Sequence, residues 1–254
     1  MGSFFILAVW ESLRPWRNLT QSNERRWLAH GILFAGAVVF QSVLIRSSPL
    51  VLALAVADKP WGLLNRSWLP WPAQFAIAIP LLDLVHYATH RLFHAFRFAW
   101  RIHEVHHSDT DYDVSVAVRF HPLEVTGSRV LYLAAIAMLA PPLAAVFISE
   151  VHSTLLNTLV HANIAWPPRL ERVLRLIFIT PDLHRIHHSI DLAEQNSNFG
   201  QTLVWWDRLF GTLRANATLS PAAGFATGVT GLPVGAYQGK AALFTAPFQR
   251  RRPE

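Results

Sequence analysis

Histidines at helical spacing are the residues of this sequence best suited to chemistry. Thirteen of the 254 residues are histidine, and most fall in four segments, DLVHYATHRLFH, HEVHH, NTLVHAN and HRIHH. Side chains at i, i+3 and i+4 share one face of a helix, so each His-x-x-His-His triplet directs its imidazoles into one volume. The ligand-type residues of the four segments are His86, His90 and His94; His103, His106 and His107; Asn157 and His161; and His184, His187 and His188.

The number and type of these side chains predict a site for two metal ions. Eight or more imidazoles exceed the four ligands of a zinc site. Carboxylates are scarce inside the motifs, which disfavours magnesium and calcium. Imidazole suits iron, zinc, copper and nickel, and affinity alone does not select among them. Cysteine is absent, which excludes disulfides, thiolate metal sites and a cysteine nucleophile.

The rest of the composition is typical of a membrane protein. Apolar residues make up 52% of the chain and charged residues 15%, against about 25% charged residues in ordinary soluble domains. Mean hydropathy is +0.27. The net charge of +6 comes from arginines scattered between apolar runs, which is typical of membrane-flanking charge. The composition therefore argues against a soluble enzyme, a disordered tail protein and a nucleic-acid partner.

Uncharged stretches predict an all-α fold, an integral membrane helical bundle that positions the histidines. The predicted spans are 28–45 and 73–90, followed by a helical hairpin over 129–161 that turns at Pro141 and Pro142. The two arms of the hairpin are short for a full crossing, so we expect them to enter only part of the bilayer. Residues 47–57 are apolar but shorter still, and we expect a partial or re-entrant helix there.

The arginines that precede the first span place the N-terminus in the cytoplasm, because basic residues favour that side. The chain returns through the second span, so residues 91–128 and 162–214 are predicted to form a cytoplasmic, histidine-rich cap. All four histidine segments then lie at one face of the membrane. We expect the chain, 1–254, to be a single membrane domain with a loosely ordered tail over 220–254, which is rich in Gly, Ala and Pro.

Longer motifs accompany the histidines. Residues 83–107 read D-x-x-x-Y-x-x-H-R-x-x-H followed by W-x-x-H-x-x-H-H, and FHPLE, HANI, TPDLHRIHHS and NSNFGQTLVWWDRLFGT come downstream. Together these motifs resemble the membrane fatty acid hydroxylase/sterol desaturase superfamily from Glu11 to Arg214. The resemblance implies a histidine-rich di-metal centre, normally two iron ions, that activates O₂ to hydroxylate or desaturate a lipid C–H bond. It also implies a helical membrane stem with a cytoplasmic catalytic cap.

The resemblance further implies which side chains bind the metals. The motifs that match place ligands at His90, His94, His103, His106, His107, His161, His184, His187 and His188. Some relatives have a second histidine one turn before the lone histidine of the intermediate helix, where this chain has Asn157. The amide oxygen of Asn157, or a bridging water, could serve there, so the ligand count of that metal stays open.

Three further residues are candidates for contacting a metal or orienting a ligand. His86 lies one turn before His90, and we assign it chiefly to packing or to orienting a ligand. Asp83 shares that helical face, and metal-bound histidines usually donate their other N–H to a carboxylate or carbonyl. We expect His121 to hold its loop or line the site. The acidic residues after the second histidine segment are expected to form a hydrated loop: Asp109, Asp111 and Asp113.

These features predict an O₂-dependent di-iron oxidoreductase that acts on a fatty acyl, sterol-like or related lipid. The C-terminal motif and the HAN segment also resemble ether-lipid monooxygenases. A non-catalytic membrane metal-binding protein would keep the histidines without O₂ chemistry. No G-x-G-x-x-G motif and no cysteine is present, so we expect a separate electron donor such as a ferredoxin, a cytochrome or a reductase. The sequence leaves the oligomeric state open.

Overall fold

The computed structural model of the chain describes residues 2–66, 68–219, 224–232, 237 and 239–249. Over these residues it contains helices and isolated β-bridges but no strand, which confirms the all-α prediction. The helices are α1 (Gly2–Leu13), α2 (Asn23–Leu44), α3 (Pro49–Val56), α4 (Trp71–Ala95), α5 (Arg97–His107), α6 (Pro122–Leu139), α7 (Leu143–Val160), α8 (Pro168–Leu174), α9 (Pro181–His187), α10 (Leu192–Gln195), α11 (Trp205–Leu209) and α12 (Lys240–Thr245).

Three helical stretches among the described residues are long and apolar enough to cross a membrane. They are Asn23–Val56, which contains α2 and α3, and the helices α6 and α7. The predicted second span, 73–90, falls within α4, which has 25 residues but is not one of the three. Its polar residues, among them Gln74, Asp83 and His86, lower its hydropathy. The chain has the make-up of an integral membrane protein in which α4 packs against α5, α6 and α7.

The helices α6 and α7 form the predicted hairpin, with Pro141 and Pro142 between them. Ala140 ends α6 in the left-handed conformation, at φ 44°. The first arm starts at Pro122 and not near residue 129, because His121 caps it by accepting a hydrogen bond from the Leu123 amide (3.2 Å). Proline is favourable at such a first helical position. The apolar run therefore marked only the second part of α6.

The main hydrophobic cluster lies where the hairpin meets α3 and α4. Leu82 of α4, Ile136 of α6, Val146 of α7 and Ala53 of α3 are buried together. Burying such side chains stabilises the fold by roughly 1.5–3 kcal/mol each for the larger ones. This cluster fixes α4 against the hairpin and so sets the position of the histidines that α4 carries.

The described residues of the C-terminal tail are packed. Leu243 of α12 is fully buried against Ala29 and Leu33 of α2, and the Phe225 ring meets the edge of Trp16 (5.8 Å between ring centroids). The tail was predicted to be loosely ordered, and these described residues pack against apolar faces that come from distant parts of the chain. The remaining residues of that prediction, 220–223, 233–236, 238 and 250–254, lie outside the described residues.

The acidic loop after α5 is buried, and the prediction of a hydrated loop is wrong. Arg26 of α2 forms ion pairs with Asp109 (2.9 Å) and Asp113 (2.7 Å). Asp111 accepts hydrogen bonds from the backbone of Thr20 (3.0 Å) and Gln21 (2.8 Å). Buried charges are tolerated when they are paired and hydrogen-bonded. The loop therefore ties the N-terminal residues and α2 to the end of α5.

Candidate metal centre

Two adjacent clusters contain all nine histidines that the motifs single out. The potential ligand atoms within each cluster lie within 4.8 Å of one another. We call them the five-histidine cluster, made of His90, His94, His103, His107 and His187, and the four-histidine cluster, made of His106, His161, His184 and His188. The rings of His107 and His188 stack where the clusters meet (4.3 Å between ring centroids).

Helix geometry explains how the triplets divide. Residues four apart on a helix lie nearly above one another, whereas residues three apart are rotated the other way. His103 and His107 accordingly share the five-histidine cluster, and His184 and His188 share the four-histidine cluster. The middle histidine of each triplet belongs to the other cluster. Each His-x-x-His-His segment therefore contributes to both.

Hydrogen bonds at Nδ1 orient rings of the five-histidine cluster. His90 Nδ1 donates to the Phe199 carbonyl (2.9 Å), and His187 Nδ1 donates to the Ser197 carbonyl (2.7 Å). His103 Nδ1 lies 2.6 Å from a carboxylate oxygen of Glu124. A neutral imidazole has one donor and one acceptor nitrogen. These contacts place the proton on Nδ1 and leave Nε2 as an acceptor.

The loop that supplies the two carbonyls is held by a buried carboxylate. Asp207 accepts hydrogen bonds from the backbone of Phe199 (2.8 Å) and Gly200 (2.8 Å) and from the Thr212 hydroxyl (2.6 Å). Burial raises the pKa of Asp207, and these hydrogen bonds oppose the rise. A Cβ at Gly200 would lie 2.8 Å from the Leu203 carbonyl, so only glycine fits this close approach.

In the four-histidine cluster the Nδ1 atoms are held less completely. His161 Nδ1 donates to the Asn157 carbonyl one turn earlier (2.7 Å), and the His106 ring stacks on Phe120 (4.2 Å). Among the described residues, the buried Nδ1 atoms of His106 and His184 have no hydrogen-bond partner. This cluster is ordered more by ring packing than by hydrogen bonds.

The arrangement of the Nε2 atoms fits a metal cation. His90 Nε2 lies 3.1 Å from His103 Nε2, and both atoms are acceptors because each ring carries its proton on Nδ1. His161 Nε2 lies 3.0 Å from His184 Nε2 in the other cluster. The two Nε2 lone pairs of His90 and His103 repel at 3.1 Å unless a positive charge lies between them. The described residues also leave buried Nε2 atoms without hydrogen-bond partners on His94, His187 and His188.

Burial keeps these imidazoles neutral. It lowers the pKa of His161 to about 4 and that of His187 to about 3. Burial, followed by the charges of neighbouring histidines, also holds the pKa of His106, His107, His184 and His188 well below the usual value. Metal ions bind the neutral form of histidine, so the clusters need not release protons to bind a metal at neutral pH.

The other candidate residues lie outside both clusters. His86 stacks on Tyr132 (4.8 Å between ring centroids). His121 caps α6 through Nδ1, and its Nε2 lies 3.2 Å from the Phe244 carbonyl. The Asn157 amide donates to the Ala117 carbonyl (3.0 Å).

Within the described residues, the hydrogen bonds of Asp83 go to partners other than the clustered histidines. One of its carboxylate oxygens accepts hydrogen bonds from the Leu203 backbone (3.0 Å) and from the Trp206 indole (3.0 Å). It therefore docks α4 against the segment before α11, close to the loop held by Asp207.

Several residues that shape the site were not singled out from the sequence. Glu124 stands in the FHPLE motif, which was the available signal. Asp207 likewise stands in a quoted motif. The Phe199 and Ser197 carbonyls carry no signal, since every residue has one. Arg129 and Glu150 line the cavity beside the histidines. Each borders an uncharged run of the sequence, and a charge at the edge of such a run could have drawn attention to them.

A cavity of about 310 Å³ connects the histidines to the interior of the hairpin. It is lined by residues of both clusters, including His90, His103, His106, His161 and His184, and by residues of α4, α6 and α7. A small organic group can thus approach both clusters from the side of the membrane helices.

Comparisons with known proteins agree with this site. The sequence profile of the Fatty acid hydroxylase family matches residues 75–212. Ornithine lipid hydroxylase OlsE of Rhizobium tropici is 31% identical over 84% of this chain and 65% of its own length. Alkylglycerol monooxygenase of Homo sapiens is 30% identical over 58% of this chain and 32% of its own length. Methylsterol monooxygenase 1 of Rattus norvegicus is 31% identical over 51% of this chain and 43% of its own length.

No solved structure matches the chain. The chain spans 65% of the first relative and 32% of the second. The matched region contains the two clusters, the Glu124 and Asp207 contacts and every residue that lines the connecting cavity except Gln41. The chain therefore belongs to the fatty acid hydroxylase family.

Proposed function

We propose that the protein is an O₂-dependent membrane oxidoreductase that hydroxylates or desaturates a C–H bond of a lipid at a centre of two iron ions. The observation that carries this proposal is the pair of adjacent buried clusters, whose Nε2 atoms face one another. The nine clustered histidines would be the ligands. Two bound iron ions would supply the reductive activation of O₂ that attack on an unactivated C–H bond requires.

The chain's own residues would orient the ligand rings, enclose the metal centre and bind the substrate. The Phe199 and Ser197 carbonyls and Glu124 hold protons on the Nδ1 atoms, which keeps the Nε2 atoms free as ligands. Burial of seven of the nine rings limits the access of water to the centre. The cavity between α4, α6 and α7 admits the substrate.

The names of the relatives suggest candidate substrates: an ornithine lipid, an alkylglycerol or a methylsterol. Lipid hydroxylation or desaturation is the first hypothesis. Ether-lipid monooxygenase activity is the second, and the alkylglycerol monooxygenases among the relatives favour it. Electrons would come from a separate donor such as a ferredoxin, a cytochrome or a reductase.

The test is reconstitution with Fe(II), a chemical reductant, O₂ and total lipid, followed by mass spectrometry. A product heavier by one oxygen atom, or lighter by two hydrogens, is the expected result. Two irons per chain without substrate-dependent O₂ uptake would favour a non-catalytic metal-binding protein. Zinc in the purified protein would not decide between them, because imidazole sites readily take zinc.

We also propose that the histidine centre lies on the cytoplasmic side, in a single membrane domain with its cap over 91–128 and 162–214. The arginines before α2 support this orientation. Because the chain has no cysteine, single cysteines report topology directly. In sealed vesicles of known orientation, Arg172→Cys on α8 should react with an impermeant maleimide only from the cytoplasmic face. Labelling of Arg172→Cys from the opposite face would overturn the orientation.

A further inference from the structure

Polar side chains line part of the cavity that reaches the histidines, beside apolar ones such as Phe93 and Phe120. The residues that line it from three helices, apart from the clustered histidines, include His86 and Thr89 of α4, Ser128 and Arg129 of α6, and Glu150, Ser153, Thr154 and Asn157 of α7. Two of these helices, α6 and α7, form the hairpin and are long and apolar enough to span a membrane. A cavity for a bare hydrocarbon chain would be lined by apolar side chains, because an unpaired buried polar group is costly.

An ion pair crosses the hairpin at this cavity. The Arg129 guanidinium lies 3.0 Å from the Glu150 carboxylate, and their side chains are 27% and 30% exposed. Arg129 is two helical turns from the start of α6, so both charges lie within stretches apolar enough to span a bilayer. Ionisable side chains inside membrane segments are rare and mark binding sites or pathways.

Polar side chains line the cavity at several positions between the ion pair and the metal centre. Along α7, Glu150, Thr154, Asn157 and His161 follow at spacings of four, three and four residues, which places them on one face of the helix. All four line the cavity. A group held by the ion pair therefore lies in the same space that the four-histidine cluster faces.

Some of the polar atoms at the cavity still need partners. Within the described residues, the buried Nε2 of His86 and the buried Oε1 of Gln41 have no hydrogen-bond partner, and both residues line the cavity. Buried polar groups of native proteins are normally hydrogen-bonded. A ligand with its own donors and acceptors would satisfy them, whereas an acyl chain would not.

We propose that this cavity binds the zwitterionic headgroup of a lipid, with an amine at Glu150 and an anionic group at Arg129, so that the headgroup end of the lipid faces the histidines. The inference rests on the proposed function and names its substrate class. Only a ligand with both charges complements the carboxylate and the guanidinium together. An anionic headgroup would be repelled by Glu150, and a cationic one by Arg129.

The test measures lipid binding to metal-free protein in nanodiscs, by native mass spectrometry. The probes are an ornithine lipid, which carries an amine and a carboxylate, and a diacylglycerol and a phosphatidylglycerol with matched chains. We expect the ornithine lipid to bind most tightly. Arg129→Gln and Glu150→Gln should each weaken its binding by roughly fivefold, as expected when one partner of a partly exposed charge pair is truncated. The matched control, Arg172→Gln at an exposed position of α8, should bind like the unmodified protein.

A charge-conserving variant and further ligands distinguish recognition of the headgroup from other causes of altered binding. Arg129→Lys keeps the charge and should retain much of the binding, which distinguishes recognition from misfolding. Equal affinity for the diacylglycerol, or unchanged ornithine-lipid binding in both glutamine variants, would overturn the proposal. Free ornithine that binds as tightly as the lipid would overturn the assignment to a lipid. Because binding is measured without iron, a headgroup preference in a protein without turnover would refute the proposed enzyme but not this site.

Discussion

The five-histidine cluster and the four-histidine cluster meet ring against ring, but the protein holds them differently. Three rings of the first, His90, His103 and His187, have a carbonyl or carboxylate at Nδ1. In the second, His161 has such a partner at Nδ1, whereas the buried Nδ1 atoms of His106 and His184, like that of His107 in the first, have none among the described residues. An Nδ1 partner fixes both the tautomer and the ring orientation and raises ligand basicity. We therefore expect the five-histidine cluster to bind its metal more tightly.

The largest effect on metal content and product formation is expected from removing a histidine of the four-histidine cluster, whose rings have fewer hydrogen-bond partners at Nδ1. His188→Ala leaves three histidines there, so the metal content should fall by one ion per chain and product formation should stop. His187→Ala leaves four histidines in its cluster and is the matched comparison: it should keep more metal while it also impairs turnover. Elemental analysis and the lipid assay measure both. Equal metal loss in the two variants would remove the distinction between the clusters.

A second variant removes a hydrogen-bond partner that orients a ring of the five-histidine cluster. Glu124→Ala removes the carboxylate at His103, and loss of such a partner typically costs about 10–100-fold in metal affinity or activity. Glu124→Gln should lose less, because its amide oxygen still accepts the Nδ1 proton. Chelator competition measures the affinity, with Glu24→Gln at an exposed position of α2 as the control. Loss confined to the four-histidine cluster would contradict the assignment.

Asp207→Asn tests the loop behind His90 and His187. An amide offers one oxygen where three donors now share two, so we expect a loss of about 1–3 kcal/mol in the free energy of unfolding. Metal should be lost first from the five-histidine cluster. Thermal unfolding in detergent and metal analysis are the measurements. Unchanged stability would show that the loop is held by other contacts.

Asn157→His tests the opposite change, because it offers the four-histidine cluster a further imidazole one turn before His161. Metal retention by that cluster should rise several-fold in chelator competition. The difference in metal affinity between the two clusters should then become smaller. Asn157→Ala is the control and should not raise retention. No gain with histidine would mean that the residue 157 side chain does not reach the metal.

The smallest effect concerns the packing beside the four-histidine cluster. Glu11 of α1 accepts hydrogen bonds from the Asn163 and Val114 backbones (3.0 Å each), and burial raises its pKa to about 7. A raised pKa stabilises the fold at low pH, and this contribution is lost as the pH rises from about 4.5 to about 7. The melting temperature of the unmodified protein, relative to Glu11→Gln, should therefore fall over this range. A constant difference would contradict it.

The sequence predicts which histidines gather but not how they divide. The spacing within each triplet is a local helical property, whereas the partition between clusters depends on how α5 and α9 face one another. The orienting carbonyls of Ser197 and Phe199 have no residue-type signature. Their position depends on a loop fixed by Asp207, several residues further on.

The errors in the fold have the same origin. Asp109 is polar in sequence and buried in the structure because its partner Arg26 lies 83 residues away. The first arm of the hairpin begins earlier than its uncharged run, because Glu124 and Arg129 interrupt the apolar pattern inside a continuous helix. Both cases show side chains whose burial is decided by distant partners and not by neighbours in sequence.

The ion pairs of Arg26 join α2, a candidate membrane span, to the loop that follows the histidines of α5. Arg26 lies near the start of α2 and forms an ion pair with Asp109, two residues after His107. Helices that are too long or too short for the local bilayer adjust by tilting. A tilt of α2 would pull on the end of α5 through the guanidinium, so the thickness of the surrounding lipid is expected to act as a mechanical input on the ligand geometry.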